Sequence, residues 1–314
     1  MNIRRAAIRR FLANGRIRNA LGGSHITHAH PTASDLPRLR HHYASFPVPN
    51  VGYGTVRDFS DSLEHLRALA TAQGDLKDAQ RPWMVKALWS IAPKHGRVIE
   101  IGAGQPFVAD LLKRSGLDVT IVDPYDGSGN GPTEYAAFRE RYPELTFVRA
   151  RFDADIVKQL PVESYDAVYS ISVLEHLSAA ELAAVTAGTH ALLRQGGRSV
   201  HSVDHSLLGW DQAASLERVL DLSRQHGVAE DRLLEVLRTA ESDPETYYLS
   251  AESHERWRAY LGLGYAEYPM QRVVSINIAA AKEQLRAGSS VANPRPGQRA
   301  QVQDVRPPRG RRSG

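Results

Sequence analysis

An alternation of short apolar runs with amphipathic segments between residues 97 and 203 is the feature that most constrains the fold. The apolar runs predict strands in RVIEI, DVTIVD, LTFVRA, YDAVYSIS and GRSVHSVD. The segments that separate them predict helices over 106–115, 132–141 and 178–194. Strands that alternate with helices are typical of βαβ units, so the sequence predicts an α/β protein with a parallel sheet.

The region before this alternation is predicted to be helical. Residues 56–92 carry two successive apolar faces at helical spacing. Pro82 is typical of a helix start and Pro93 of a helix stop. We therefore expect an N-terminal helical cap over residues 51–96.

The region after the alternation adds helices and one strand. Residues 211–240 predict two more helices, and RVVSINIAAAK predicts a late strand. Gly196-Gly197 is expected to cap a helix and form the turn that follows it. These elements predict one main domain over residues 97–288, with a helical insert over 211–260.

The net charge of +4 hides an uneven distribution. Residues 1–50 hold eight arginines and one acid, and residues 289–314 hold six arginines and one acid, which leaves residues 51–288 negatively charged. The ends are expected to form a basic, partly disordered leader and a disordered basic tail. The leader can instead form a basic amphipathic helix with weak peripheral membrane contact, and its arginines also resemble a transit peptide. The acidic core argues against nucleic-acid binding.

Several classes of protein are excluded by composition. The chain has no cysteine, so disulfides, thiolate metal sites and cysteine nucleophiles are ruled out. No run of eighteen apolar residues is present, so no membrane-spanning helix is expected. Without a visible secretory signal, a cytoplasmic location is expected.

The stretch VIEIGAGQP predicts a strand, a glycine turn and a helix that together bind a nucleotide. A dinucleotide fold would need a third glycine at position 107, which is Phe107. Glu100 would repel a diphosphate and suit a cation. Asp123 follows the next strand, nineteen residues after Gly104, where an acid accepts ribose hydroxyls. The pattern favours a cationic adenosine without phosphate over NAD.

In these residues the chain resembles the class I S-adenosylmethionine-dependent methyltransferases. VIEIGAGQP resembles the family's first motif, and VDPYD its ribose-binding second motif. FVRARFDAD resembles the adenine-binding segment, ESYDAVYSISVLEHL the fourth motif, and LLRQGGRSVHSVD the helix, turn and fifth strand. The resemblance implies a doubly wound, mostly parallel seven-stranded sheet of Rossmann-like type, with an antiparallel last strand pair. It identifies residues 97–288 as the catalytic domain and S-adenosylmethionine as the cofactor.

The resemblance also implies which residues bind the cofactor. Gly102 and Gly104 would pass beneath the methionine part, and Glu100 would lie near its amino end. Asp123 would bind the ribose hydroxyls, and the adenine would lie near Phe152 and Asp153, with Asp155 as an alternative to Asp153. The full predicted set is Glu100, Gly102, Ala103, Gly104, Asp123, Pro124, Phe152, Asp153 and Ser172, the last in the floor under the sulfonium.

A catalytic base is needed only if the acceptor must lose a proton. The candidates are His176, after the fourth strand, and Asp204 and His205, at the end of the fifth. His201 and Asp204 should lie on opposite faces of that strand. No metal is expected at this set. The acceptor pocket is expected to be lined from both flanks, by Tyr53, Arg57, Arg81, Trp83, Tyr247, Tyr248, His254 and Trp257.

The function predicted from these residues is methyl transfer to a small-molecule acceptor, at oxygen or nitrogen rather than carbon. C5-pyrimidine methylation is excluded because it normally needs a cysteine nucleophile. SISVLEHL, after the fourth strand, also lacks the motif of the enzymes that methylate adenine or cytosine amines. Two alternatives stay open, a scaffold protein with the same fold but no turnover, and an NAD-dependent oxidoreductase. The sequence predicts neither the acceptor nor the oligomeric state.

Overall fold

A computed structural model describes residues 31–128 and 131–286. Residues 1–30 of the predicted leader and the whole of the predicted tail, residues 289–314, lie outside the described residues. Among the described helices, none is long and apolar enough to cross a membrane.

The described residues form a seven-stranded sheet in the order β1-β7-β6-β5-β2-β3-β4. The neighbours from β6 to β4 pair in parallel, and β7 is antiparallel to both β6 and β1. This confirms the predicted mostly parallel sheet with an antiparallel last pair. The strands are β1 Val51–Tyr53, β2 Arg97–Ile101, β3 Asp118–Val122, β4 Thr146–Val148, β5 Tyr165–Ile171, β6 Leu193–Leu208 and β7 Arg272–Ala281.

Helices cover both faces of the sheet. The helices are α1 Leu36–His42, α2 Val56–His65, α3 Lys77–Ile91, α4 Phe107–Arg114, α5 Tyr135–Arg141, α6 Ala154–Val157, α7 Ala179–Leu192, α8 Gln212–Gln225, α9 Glu230–Ser242 and α10 Ala251–Leu261. Successive residues of β2 enter different cores, since Val98 packs with α3 and α4 while Ile99 packs with α7, α8 and α9. The sheet is therefore doubly wound, as predicted.

The edge strand β1 comes from the N-terminal part of the chain. Val51 pairs with Ile278 and Tyr53 with Ile276, which covers the outer edge of β7. The sequence did not predict this strand, because three residues are too few to show a period-2 pattern. Its pairing protects a long apolar strand that would otherwise form an exposed edge.

Pro82 lies inside α3 and does not start it, so that prediction was wrong. α3 begins at Lys77, and the missing N–H of Pro82 leaves the carbonyl of Asp78 without its usual helical partner. Pro93 does mark the stop, because Ala92 before it is extended at ψ 134°.

The glycine pair Gly196-Gly197 also differs from its prediction. It lies within β6, which begins directly after α7 at Leu193, and not at a helix cap. The pairing of β5 with β6 shifts register between Tyr165 and Ala167, beside these glycines. Gly196 has φ +72°, and a Cβ on Gly197 would lie 2.9 Å from the Tyr165 carbonyl oxygen. The pair therefore forms an irregularity that realigns β6 along β5.

Candidate active site

The parallel strands β2, β3 and β5 end at one edge of the sheet, and the predicted cofactor residues follow them there. The turn after β2 is held to β3 by a hydrogen bond from the Gly102 amide to the Val122 carbonyl at 2.9 Å. Gly102 has φ +66°, and a Cβ there would lie 2.7 Å from a methyl group of Val173. This backbone conformation and this close contact both require glycine. Because glycine has no side chain, the backbone of the turn stays exposed next to the strand ends.

Asp123 joins the tip of β3 to the glycine turn. Its Oδ2 accepts a hydrogen bond from the Gly104 amide at 3.0 Å, and its Oδ1 accepts one from the Tyr125 amide at 2.7 Å. Burial raises the pKa of Asp123, while these two backbone bonds act in the opposite direction. A carboxylate can accept about four hydrogen bonds, so Asp123 can still accept ribose hydroxyls.

Glu100 is buried at the end of β2. Its carboxyl accepts a hydrogen bond from the Tyr169 hydroxyl at 2.9 Å. Burial raises the pKa of Glu100 to about 8, the nearby Asp123 adds to this shift, and Arg81 opposes it. At neutral pH this acid therefore holds its proton most of the time, although the sequence suggested a permanent anion.

Arg81 of α3 lies on the same face as Glu100. Its guanidinium carbon is 5.1 Å from the ring centre of Phe107, a cation–π contact. Burial lowers the pKa of Arg81, and Asp75, Asp78 and Glu100 oppose this effect. Within the described residues it donates no hydrogen bond, so its donors are available to an anionic group of a ligand.

The predicted adenine residues separate into two environments. Phe152 is buried against α7, where a Cβ on Gly188 would lie 2.9 Å from its ring. Asp153 is exposed and caps α6, since its Oδ1 accepts from the Asp155 and Ile156 amides at 3.0 Å. Asp155 instead pairs with Lys158 at 2.8 Å on the surface. The carbonyl of Pro124, half-buried after β3, faces Arg149.

A polar cluster formed by Gln80, Ser172 and Asp204 lies at the end of β5, where its pairing with β6 stops. Gln80 of α3 donates to Asp204 Oδ1 at 2.7 Å, and the Ser172 hydroxyl lies 2.8 Å from the same oxygen. Ser172 has φ +50°, a left-handed conformation that is uncommon outside glycine. Within the described residues, Asp204 Oδ2 accepts no hydrogen bond and is left free on this half-buried side chain.

Glu175, which the sequence analysis did not select, supports this cluster. Its Oε1 accepts a hydrogen bond from the Asp204 amide at 2.9 Å. Its Oε2 is buried without a partner among the described residues. Burial raises the pKa of Glu175 to about 8, and the charge of Asp204 adds to the shift. The only sequence signal for it was its place in the Leu-Glu-His segment.

The two candidate histidines differ in position. His176 is exposed beside the cluster. Partial desolvation by nearby protein atoms lowers the pKa of its ring, and the charge of Asp204 acts in the opposite direction. His205 is buried on the other face of β6, with Nδ1 2.9 Å from the Ser215 hydroxyl of α8. Burial lowers the pKa of His205 to about 4. His201 also lies on the face opposite Asp204, as predicted.

Several residues expected to line the acceptor pocket make contacts that hold elements together. Tyr53 donates to Asp243 at 2.7 Å, Arg57 forms a double contact with Glu245 at 3.0 Å, and Trp83 is buried. Tyr247 and Tyr248 bond to Asp78 and to the Ala240 carbonyl respectively.

The segment around α10 brings aromatic rings close to Asp204. Tyr268 stacks on His254 with ring centres 5.0 Å apart, and the ring centre of Trp210 lies 6.4 Å from that of Tyr268. Burial raises the pKa of Tyr268, and the charge of Asp204 contributes to that shift. Nε2 of His254 is buried without a partner among the described residues. Trp257 is fastened to the start of α3, since its indole donates to Asp75 at 2.7 Å.

Sequence comparison matches this region to known proteins. A family model described as a methyltransferase domain matches residues 78–240. The chain is 30% identical over 110 residues to the S-adenosyl-L-methionine-dependent Diels–Alderase iccD of Talaromyces variabilis. That match covers 35% of this chain and 37% of the relative, so the chain spans little more than a third of the relative's length.

Two solved structures are similar at low identity. The 1,6-didemethyltoxoflavin-N1-methyltransferase of Burkholderia thailandensis, with its substrate and S-adenosylhomocysteine bound, gives a TM-score of 0.37 at 20% identity. This alignment covers 72% of the present chain and 87% of the other. A TehB-like SAM-dependent methyltransferase from Corynebacterium glutamicum also gives a TM-score of 0.37 at 20% identity, over 53% and 81%.

Proposed function

The chain belongs to the class I S-adenosylmethionine-dependent methyltransferases, whose family model matches just over half of it, and we propose that it methylates a small-molecule acceptor. One observation carries the proposal. Glu100, the turn Gly102–Gly104 and Asp123 meet at the carboxyl edge of the sheet, beside the polar cluster around Asp204. A cofactor site and a group able to accept a proton are thus neighbours.

The chain's own residues fit the cofactor at this edge. S-adenosylmethionine supplies an electrophilic methyl group on a cationic sulfur. Asp123, already fixed by two backbone amides, accepts the ribose hydroxyls. The turn Gly102–Gly104 offers backbone without side chains over which the methionine part lies. Pro124, Phe152 and Asp153 are proposed to border the adenine, and Ser172 the sulfur.

Glu100 and Arg81 are proposed to bind the two charged ends of the methionine part. A cationic amino group beside Glu100 favours the ionised carboxyl, so the acid releases its proton when the ligand binds. The guanidinium of Arg81, which donates no hydrogen bond within the described residues, pairs with the carboxylate end. The site therefore becomes fully charged only in the bound state.

Asp204 is the proposed catalytic base. Gln80 and Ser172 hold its Oδ1, and this fixes the direction of the free Oδ2. A base oriented in this way would accept the proton that a hydroxyl or amine of the acceptor loses on methylation, with S-adenosylhomocysteine as the leaving group. His176 is an exposed second candidate, while the buried contact of His205 with Ser215 supports a structural role.

The proposed acceptor is a small molecule with an apolar or aromatic part. Trp210 and Tyr268 offer ring surfaces near Asp204, and the buried His254 supports the Tyr268 ring by stacking on it. Such rings bind flat ligands by stacking. The absence of cysteine excludes acceptors that need a covalent thiolate intermediate.

A second function is supported by the relative from Talaromyces variabilis, which is named as a Diels–Alderase. The same site can hold the cofactor as a bound cation while the acceptor undergoes a pericyclic ring closure. In that reaction no methyl group is transferred, and Asp204 would position the substrate by hydrogen bonding without taking a proton.

Calorimetry with S-adenosylmethionine and S-adenosylhomocysteine tests the cofactor part of the proposal. We expect binding of both at micromolar protein and none of NADH. Release of S-adenosylhomocysteine is then measured against a panel of phenols, amines and conjugated polyenes. One equivalent released per product supports methyl transfer, and product without release supports the pericyclic function. Binding of NADH alone would overturn both.

A further inference from the structure

Three potential metal ligands meet on the N-terminal helices, outside the proposed active site. His42 ends α1, while Asp61 and His65 lie four residues apart on one face of α2. One ligand atom from each side chain lies within 4.8 Å of the others. His65 Nδ1 lies 3.1 Å from the Asp61 carbonyl oxygen, a hydrogen bond within the helix, and 3.3 Å from Asp61 Oδ1, so an ion bound by Nδ1 would replace that hydrogen bond.

Asp61 is held in place by residues beneath it. Its Oδ2 accepts from the Tyr43 hydroxyl and from the Lys86 ammonium, each at 2.6 Å. The carboxylate is therefore held in one orientation, with its Oδ1 3.3 Å from His65 Nδ1.

The buried Lys86 keeps that arrangement rigid. Its side chain is fully buried, its amine also donates to the Asp58 carbonyl at 3.0 Å, and it lies over the rings of Tyr43 and Phe46. A metal ligand oriented by hydrogen bonds from a second layer of residues binds with less reorganisation. The positive charge of Lys86 lowers the affinity, so the site needs a metal that binds imidazole strongly.

We propose that His42, Asp61 and His65 bind a divalent transition-metal ion of the zinc type. Two imidazoles and one carboxylate suit zinc and its neighbours, whereas Mg²⁺ and Ca²⁺ prefer oxygen alone. The rings of His42 and His65 are 5.0 Å apart and nearly parallel at 27°, so His42 must turn to aim a nitrogen at the ion. His42 is exposed and can do so, and water completes the coordination.

The ion would join α1 to α2 at a distance from the cofactor. Lys86 is six residues along α3 from Gln80, or about 9 Å of helix. Arg40 of α1 donates to the carbonyls of Ala92 and Ser115, which precede β2 and β3 at the opposite edge of the sheet. The metal therefore stabilises the attachment of α1, and this inference does not depend on the proposed methyl transfer.

Equilibrium dialysis of the chelator-treated full-length chain against Zn²⁺ tests the site. His25, His28 and His30 are first replaced by alanine, because the sequence places them shortly before His42 and they can bind zinc themselves. We expect this parent to bind one Zn²⁺ per chain, and excess Mg²⁺ not to displace it. His65→Ala should abolish binding and His42→Ala should weaken it at least tenfold.

His41→Ala is the matched control, since His41 is an exposed neighbour outside the cluster. It should keep the parent's affinity. Zn²⁺ should also raise the melting temperature of the parent and the control but not of His65→Ala. Equal zinc binding by the His41→Ala and His65→Ala proteins would overturn the proposal. The proposal would also be overturned if the folded parent bound no Zn²⁺, including the case in which only the protein that keeps His25, His28 and His30 binds it.

Discussion

Glu100 lies in the hydrophobic core beside the glycine turn, and its chemistry depends on what binds next to it. Because burial raises its pKa to about 8, the carboxyl carries a proton at pH 7 in the free protein. A cationic ligand reverses this preference. Cofactor binding should therefore be coupled to proton release at this one residue.

We expect cofactor binding at pH 7 to release most of one proton. Affinity should rise as the pH increases from 6 to about 8 and then level off, because above that pH Glu100 is already ionised. Calorimetry in buffers with different ionisation enthalpies measures the proton count. Glu100→Gln should remove the release. Glu175→Gln, which changes another buried acid with a pKa of about 8, should retain it.

Asp123→Ala should weaken cofactor affinity by roughly 1–3 kcal/mol, through lost hydrogen bonds to the ribose. The same change removes the acceptor for the Gly104 and Tyr125 amides, so part of the loss comes from the turn itself. Asp123→Asn keeps one acceptor oxygen and should lose less. An unchanged dissociation constant in Asp123→Ala would show that the ribose lies elsewhere.

Asp204→Asn should lower the turnover number roughly 10²–10⁴-fold, as for loss of a general base, and leave cofactor affinity unchanged. His205→Gln is the comparison, because Gln can still bond to Ser215 on the buried side of β6. It should keep turnover near the wild-type value. Release of S-adenosylhomocysteine measures the turnover number of both variants. A larger loss in His205→Gln than in Asp204→Asn would show that His205 is the base.

Only part of this site was accessible from the sequence. Glu100, Gly102 and Asp123 stand in a motif, because the ends of β2 and β3 are close in both sequence and space. Gln80 is 124 residues from Asp204, and no local pattern joins them. The placement of His201 and Asp204 on opposite faces did follow from strand alternation, whereas the same rule was not applied to His205, which lies on the face of His201.

At the level of elements, a chain of hydrogen bonds holds β5, β6 and α8 together. His226 Nδ1 donates to the Leu222 carbonyl at 2.9 Å, so the neutral ring accepts from Ser199 through Nε2 at 3.1 Å. The Ser199 hydroxyl accepts from His201 at 2.6 Å, and His201 accepts from Ser170 at 2.8 Å. The chain is complete only when both histidines are neutral.

This arrangement predicts loss of stability in acid. Burial lowers the pKa of His226 to about 4 and that of His201 well below its ordinary value of about 6.5. As the pH falls below about 6.5, these histidines bind protons in the unfolded chain but stay neutral in the folded one. The free energy of unfolding therefore decreases. The total decrease is expected to be on the order of a few kcal/mol by pH 4.

Urea unfolding at a series of pH values measures this effect. His226→Gln should lower stability at pH 7, because it breaks the hydrogen-bond chain, and should flatten the decrease between pH 6.5 and 4. His41→Gln changes an exposed ring and should keep the wild-type curve. A His226→Gln curve parallel to that of the wild type would contradict the assignment.

The elements that were predicted well have clear boundaries in the sequence. β2, β3 and β5 are buried along almost their whole length, and α7 begins after the capping residue Ser178. All four lie near the predicted bounds. β1 escaped prediction because it has three residues, and its pairing depends on β7. Pro82 was misplaced because the tertiary packing of α3, which is buried along most of its length, outweighs the cost of a proline inside a helix.

For the molecule as a whole, the segment from α9 to α10 is tied to the N-terminal region at separate points. Tyr53 reaches Asp243 across 190 residues of sequence, and Trp257 reaches Asp75 across 182. The packing of these aromatic side chains, on the side where we propose that the acceptor binds, therefore depends on residues ahead of the methyltransferase motifs. No local sequence pattern contains this information, because both partners of each contact lie in surface segments far apart in the chain.

Asp75→Ala should loosen α10 without unfolding the sheet. The change removes the acceptor of the Trp257 indole and the Ser253 hydroxyl. Hydrogen exchange should accelerate in residues 250–262 and stay unchanged in β2 and β3. Asp221→Ala is the control, since it breaks only an exposed contact with Arg224 on α8. Equal rates of hydrogen exchange in α10 of both variants would show that the hydrogen bonds to Asp75 do not hold α10 in place.

The pairing of β1 with β7 sets the order in which the chain can fold. β1 is synthesised early and β7 near the end of the described residues, so the outer edge of the sheet is completed only after the intervening strands exist. Contacts between such distant segments form slowly, because a long loop must close first. During translation the parallel strands can assemble while residues 51–53 are not yet paired with β7. Closing that edge is therefore expected to be a late step in folding.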